Sequence, residues 1–175
     1  AELFKKGDMQ AARAKLHHDM LHYIDEVTEE QLNSILEKIG ACVKRAYQAG
    51  VDIVEVHGDR LIGSLCSTIL NHRTDDYGGS FENRIKFALS VVKTIKENAP
   101  DICIDYKLPI ITENPPRGKG GLKIDEAIKL AKILEEYGVD MIHVGQANHT
   151  GNMNDTIPAM GTQPYCFMSK YTKQI

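Results

Sequence analysis

The stretches Ala49-Gly-Val-Asp-Ile-Val-Glu-Val (49–56) and Tyr137-Gly-Val-Asp-Met-Ile-His-Val (137–144) repeat one pattern: a helix stop, a glycine, Val-Asp and a short apolar run. A glycine in that place takes the left-handed conformation that ends a helix at little steric cost. The run after it is β-branched and too short for a helix, which is the pattern of a buried parallel strand. Strands are therefore expected at 51–56 and 139–144, with a third at 102–107, where Ile102 to Lys107 has the same character.

Working outward, each strand is preceded by a helix. Thr28 and Gln31 form a capping box, after which Leu32, Ile35, Leu36, Ile39, Val43, Ala46 and Tyr47 recur at helical spacing as far as Gly50. Ser80 caps a second helix with a stripe of Ile85, Ala88, Leu89, Val92 and Ile95, which Pro100 ends. Asp125 opens a third, carrying Ile128, Ala131 and Leu134 and closed by Gly138; an amphipathic stretch from Pro164 to Thr172 follows the last strand. Strands that alternate with helices run parallel, because each helix returns the chain to the same end of the sheet. The fold class is α/β. The internal echo suits the repeated βα units of a (β/α)8 barrel, and Rossmann-like sheets are built from repeated units too.

Composition narrows the field. The chain has 175 residues, 42% hydrophobic and 26% charged with no Trp, enough for one domain with a core, which excludes disordered, collagenous and mini-protein classes. Lys plus Arg number 21 against 24 Asp plus Glu, a net charge of −3 without a long basic run, so neither nucleic acid nor a membrane surface is an expected partner. No stretch approaches the roughly 18 to 20 apolar residues of a membrane span. Cys42, Cys66, Cys103 and Cys166 lie far apart, which argues against a disulfide frame, zinc finger or iron–sulfur cluster and points to a reducing cytoplasm. The first residues form a charged, helix-prone run rather than a secretory signal, and both ends have the look of a cut from something longer.

In parallel α/β folds the functional groups gather at the carboxyl ends of the strands. Those ends are Val56-His57-Gly58-Asp59-Arg60, Tyr106-Lys107-Leu108-Pro109 and Val144-Gly145-Gln146-Ala147-Asn148-His149. His57, two residues past Glu55, can exchange hydrogen bonds with a carbonyl or an anion, and Lys107 is a cation leaving an otherwise apolar strand. The competing reading is that both serve only local backbone groups or water. His18 and His22 have the i, i+4 spacing of a metal pair, but with no glutamate beside the first they are read as a helix face. Arg117-Gly-Lys-Gly-Gly (117–121) lacks full phosphate-loop spacing, and His149 to Asp155 fits a plain loop; neither is taken as a site.

Between the first strand and the second helix runs Asn71-His-Arg-Thr-Asp-Asp-Tyr-Gly-Gly-Ser-Phe-Glu-Asn-Arg84. It closely resembles the R-T-D-E-Y-G-G-S-x-E-N-R signature of the old yellow enzyme family, FMN-dependent NAD(P)H:flavin oxidoreductases built on a (β/α)8 barrel. The match is ungapped and differs chiefly by Asp76 for Glu. It extends from about Thr28 to the end of the chain and includes Glu55-x-His57 and the place of Lys107. The resemblance implies an incomplete (β/α)8 TIM-barrel segment with about three parallel strands and flanking helices. Residues 1–27 would be an N-terminal helical segment, and 28–175 the central βα units, third helix through sixth, without the first and last barrel strands. The signature itself reads as scaffold: Gly78 and Gly79 make the turn, Ser80 caps, Glu82 sits in the first helical turn, and Arg73 ties the loop to Asp75 or Asp76.

Site residues follow from the resemblance position by position. His57 matches the first member of the family's His-x-x-Asn or His-x-x-His pair, which hydrogen-bonds the substrate's oxygen, and Arg60 stands in the second place. Leu61-Ile62 follows directly, so the family's Gly-Tyr, whose tyrosine donates a proton, has no counterpart; Tyr77 belongs to the scaffold. An arginine at this place would bind a carboxylate in bidentate fashion, which implies an anionic substrate such as an enoate. Lys107 stands where the family has an arginine facing the flavin N1 and C2 carbonyl. The implied activity is an oxidoreductase using FMN and NADH or NADPH on a small electron-poor substrate, by hydride transfer through flavin N5.

Three strands do not close an eight-stranded barrel. The chain by itself is accordingly expected to lack tightly bound FMN and turnover, and to form homo-oligomers through exposed strand edges. Two alternatives stand beside this: a non-catalytic self-associating α/β module, and an aldolase-type barrel with Lys107 as its Schiff-base lysine.

Overall fold

The computed structural model describes residues 7–11, 22–111, 121–146, 166 and 168–175. Residues 22–26 are helical and lead into α1 (Glu29–Gln48), β1 (Ile53–His57), α2 (Leu61–Cys66), α3 (Phe81–Asn98), β2 (Cys103–Ile110), α4 (Ile124–Glu136), β3 (Met141–Gln146) and α5 (Ser169–Thr172). The three strands form one parallel sheet in the order β1-β2-β3, and the described sheet is not closed into a barrel.

The helices begin and end for the expected reasons. Thr28 Oγ1 accepts from the Gln31 N–H at 3.1 Å while Gln31 Oε1 accepts from the Thr28 N–H at 2.9 Å, and Ser80 Oγ accepts from the Asn83 N–H at 3.2 Å. Gly50 and Gly138 have φ of 84° and 92°, the left-handed stops of the echo. α4 starts one residue before Asp125 and has no side-chain cap; Asp125 and Glu126 lie in its first turn, facing the positive end of the helix dipole. Of the stretch from Pro164 to Thr172, α5 is the described helical part; His18 of the i, i+4 pair with His22, residues 117–120 of the glycine-rich stretch and residues 149–155 lie outside the described residues.

The strands differ from expectation in three ways. β1 and β3 each begin two residues late, because the Val-Asp of the echo locks the sheet instead of joining it: the Asp52 carbonyl accepts from the Cys103 N–H at 2.9 Å, and Asp140 Oδ2 accepts from the Ile104 N–H at 2.9 Å and Lys96 Nζ at 3.3 Å. β2, paired on both sides, runs on through Pro109 to Ile110. Nor are the strands buried on both faces. Val56, Ile104, Tyr106 and Leu108 face the helices and are buried, whereas Ile53 and Met141 on the other face are each 52% exposed. The period is two, with one covered face.

The Ile104 N–H bond and the Lys96 ammonium hold the Asp140 carboxyl below its usual range against the opposing effect of burial. A lowered folded value means the tie is complete above the ordinary carboxylate range and is lost as pH falls through the lowered value. Exchange of the Ile104 amide, corrected for its intrinsic rate, is therefore expected to accelerate in acid. In Asp140→Asn it should be faster at neutral pH and lose that acid dependence.

Nothing in the hydrophobic pattern marks α2, whose residues Ile62 to Cys66 are all buried. Six residues hold less than two turns, too few for helical periodicity to show. The helix presses on the strand end: a Cβ on Gly63 would collide with the Gly58 carbonyl oxygen and lie 2.9 Å from Pro109 Cγ. Burial pushes the Cys66 thiol up to about 12, against the Arg84 charge, so Cys66 should resist alkylation in the folded protein while exposed Cys42 reacts.

The signature loop is a scaffold clasp. Arg73 Nη1 donates to the carbonyls of Ile24 at 2.8 Å and Val27 at 2.5 Å, and its Nε and Nη2 meet both oxygens of Asp75, so Asp75 rather than Asp76 is the loop partner. Asp76 instead accepts from Lys86 Nζ at 3.1 Å. Arg84, 4% exposed, donates from Nη2 to Glu126 Oε1 at 2.6 Å, from Nη1 to the Cys66 carbonyl and from Nε to the Gly79 carbonyl at 3.3 Å, joining the loop to α2 and α4.

Candidate active site

The register places His57 opposite Lys107 and Lys107 opposite His143, a row across three strands near their carboxyl ends. Direct partners in a parallel sheet point to the same side. His57 and Lys107 therefore share the face that the described helices leave open. Two residues earlier, Glu55 stands opposite Asp105 on that same face.

Gly58 turns the chain at the end of β1, its N–H donating to the Val56 carbonyl at 2.8 Å. A Cβ there would lie 2.5 Å from the Lys107 carbonyl oxygen and 2.6 Å from Tyr106 Cε1, so only glycine fits. The turn brings Asp59 over the sheet end. Asp59 is 8% exposed, with Oδ2 at 3.3 Å from Lys107 Nζ and Oδ1 at 3.4 Å from His57 Nδ1. The second contact lacks hydrogen-bond geometry, which leaves Oδ1 buried and unsatisfied. Beneath it Glu55 spans two imidazoles: Oε2 is 3.2 Å from His57 Nε2 and Oε1 is 3.4 Å from His143 Nδ1.

Arg60 follows at the start of α2, exposed and outside the row. Its charge acts on Tyr23, whose hydroxyl donates to Ser64 Oγ at 3.0 Å; burial raises that hydroxyl's pKa, with Ser64 and Arg60 opposing. Buried Tyr106, under the Gly58 turn, is pushed well above the ordinary range by burial, by Cys66 and by Asp59.

Of the three residues singled out from sequence, the structure sets His57 and Lys107 side by side, with Asp59 Oδ2 3.3 Å from the lysine ammonium, and leaves Arg60 outside the row at the head of α2. Sequence reasoning left Asp59, His143 and Asp105 unassigned. Their signal is an acid placed between His57 and Arg60, and polar residues at alternate positions of strands, Glu55/His57 and Asp105/Lys107. Ligand atoms of Glu55, Asp105 and His143 lie within 4.8 Å of one another, a spacing open to a metal, yet both Glu55 oxygens already face imidazole nitrogens.

Polar groups at the carboxyl end of a parallel α/β sheet stand where both (β/α)8 barrels and Rossmann-like sheets place their sites. The chain belongs to the NADH:flavin oxidoreductase / NADH oxidase family, whose model matches residues 5–165. It is 80% identical over 175 residues to bilirubin reductase of Mediterraneibacter gnavus, covering all of this chain and 27% of that protein. It is 38% identical over 158 residues to bilirubin reductase of Clostridium symbiosum, covering 87% and 42%. Among solved structures, morphinone reductase matches with a TM-score of 0.59 at 28% identity, covering 85% of this chain and 38% of the other. The chain thus spans between about a quarter and two fifths of these relatives' length.

FMN and NAD(P)H are the cofactors this family implies. The described residues fit a flavin: a cation, an imidazole and a buried carboxylate oxygen without a hydrogen-bond partner suit a ring edge that carries both N–H and C=O groups. No described helix is long and apolar enough to cross a membrane.

Proposed function

We propose that the protein to which these residues belong is an FMN-dependent reductase of conjugated, carboxylate-bearing substrates, with bilirubin as the first compound to test. The observation that carries this reading is the placement of His57 and Lys107 side by side on one sheet face, with Asp59 paired to Lys107 and 3.4 Å from His57. Bilirubin is suggested by the relatives that bear its name. It has lactam carbonyls conjugated to carbon–carbon double bonds and two carboxylates, which suits both His57 and Arg60.

FMN, when bound, would supply the hydride chemistry, with NADH or NADPH as the reductant. The chain's own residues do the rest. Lys107, its ammonium 3.3 Å from Asp59 Oδ2, would hold the flavin edge by its positive charge. His57 donates to the substrate carbonyl oxygen, drawing electron density from the conjugated carbon. Arg60, at the head of α2, binds a substrate carboxylate and orients the conjugated system.

In this reading the 175 residues alone neither hold FMN tightly nor turn over, and the edges of β1 and β3 pair with a second copy; a reducing cytoplasm is the compartment. The aldolase alternative loses ground, since Lys107 is paired with a carboxylate and serves as a cation.

The test is the visible spectrum of the full-length protein, followed by anaerobic reduction of bilirubin with NADH and with NADPH. Flavin absorption and bilirubin-dependent NAD(P)H oxidation are expected, and a colourless protein would sink the reading. Arg60→Asn should raise KM for bilirubin about tenfold or more, the worth of a charge-assisted hydrogen bond, while sparing an uncharged enone. An equal effect on both substrates would remove the carboxylate role.

A further inference from the structure

We propose that Glu55 is a positioning residue that holds the His57 ring by Nε2, so that the ring serves a substrate through Nδ1 and does so only with both nitrogens protonated. This rests on the functional reading above, and it gives a role to a carboxylate that reading does not use.

Glu55 and His57 leave β1 on the same side, two residues apart, and Oε2 lies 3.2 Å from Nε2 in hydrogen-bonding geometry. A carboxylate only accepts, so Nε2 carries the proton in this pair. The other Glu55 oxygen is 3.4 Å from His143 Nδ1 on β3, which anchors the carboxylate across the sheet. That leaves Nδ1 as the working nitrogen, and it points to Asp59 Oδ1 at 3.4 Å.

A neutral ring with its proton on Nε2 would turn an Nδ1 lone pair toward a carboxylate oxygen and offer a substrate oxygen nothing. The doubly protonated ring removes both problems. It donates from Nε2 to Glu55 and from Nδ1 either to Asp59 or to a substrate oxygen that takes its place. The charged and titratable groups facing it are Glu55 on its own strand, Asp59 in the turn, Lys107 on β2 and, through Glu55, His143 on β3. Carboxylate oxygens thus lie beside both ring nitrogens, Glu55 in hydrogen-bonding geometry and Asp59 Oδ1 at 3.4 Å and still without a hydrogen-bond partner.

The experiment is nitrogen NMR of histidine-labelled, flavin-loaded full-length protein at neutral pH, with His57→Gln to assign the signals, alongside steady-state kinetics. Wild type is expected to show His57 with two protonated nitrogens. Glu55→Gln should convert the ring to one neutral tautomer and lower kcat about 10- to 100-fold with little change in KM, as loss of a charge-assisted bond implies. Glu55→Asp, which restores the charge, should return part of the NMR signature. A neutral His57 in wild type overturns the proposal even if every variant fails to fold. So does a Glu55→Gln ring that keeps both protons, or zinc binding by wild type that Asp105→Asn abolishes, since Glu55 would then be a metal ligand. The NMR result stands whether or not bilirubin is the substrate, so failure of the functional reading is seen separately in the turnover assay.

Discussion

Lys107→Met in the flavin-loaded full-length protein is expected to slow reduction about 10²- to 10³-fold, the usual loss when one preorganised charge is removed from a developing anion. The loss should appear in kcat, with KM for the substrate nearly unchanged, because Lys107 faces the cofactor in the functional reading and not the substrate. Two effects act together. The flavin edge loses its cation, and Asp59, 8% exposed, loses the ammonium at 3.3 Å that balances its buried charge. Lys107→Arg keeps the charge and should retain most of the rate. Rapid-mixing measurement of the hydride steps separates the outcomes, and a Met variant with wild-type kinetics would remove Lys107 from the site.

Arg84→Leu is expected to be the most destabilising single change in the scaffold, at about 3–5 kcal/mol, the range for removing one partner of a buried ion pair. Against a total of roughly 5–15 kcal/mol for a domain, such a loss brings the protein near unfolding. The guanidinium, 4% exposed, meets Glu126, the Cys66 carbonyl and the Gly79 carbonyl, and leucine leaves all of them without a donor. The double variant Arg84→Leu/Glu126→Leu should recover part of the loss, because no lone buried carboxylate remains. Urea titration of the three proteins measures this; a shift for Arg84→Leu below about 1 kcal/mol, the worth of a surface pair, would contradict the clasp.

How much of this was legible in the sequence depends on how local each cause is. The capping box and glycine stop of α1 and the Ser80 cap of α3 could be read from Thr28, Gln31, Gly50 and Ser80, because a cap bonds to groups within three residues. α2 could not, since its burial comes from packing Gly63 on the Gly58 turn and on Pro109, which lies far along the chain on β2. His57 and Lys107 were found because each ends a strand, and the family signature then gave them roles. Asp59 does not stand out between them, since an acid beside a glycine in a loop looks solvated until the fold buries it against a lysine some fifty residues on.

The sequence by itself determined the alternation of helix and strand, the parallel sense of the sheet and the family, because these rest on periodicity, chain connectivity and an ungapped motif. Tertiary structure alone decided which face of the strands stays open, which acid of the signature Arg73 grips, and that Glu55, His57, Asp59, Lys107 and His143 meet in one connected cluster. The reason is physical. Strand register fixes which residues from distant segments stand side by side, and charge pairing acts through the few ångströms between them, a distance that no spacing along the chain records.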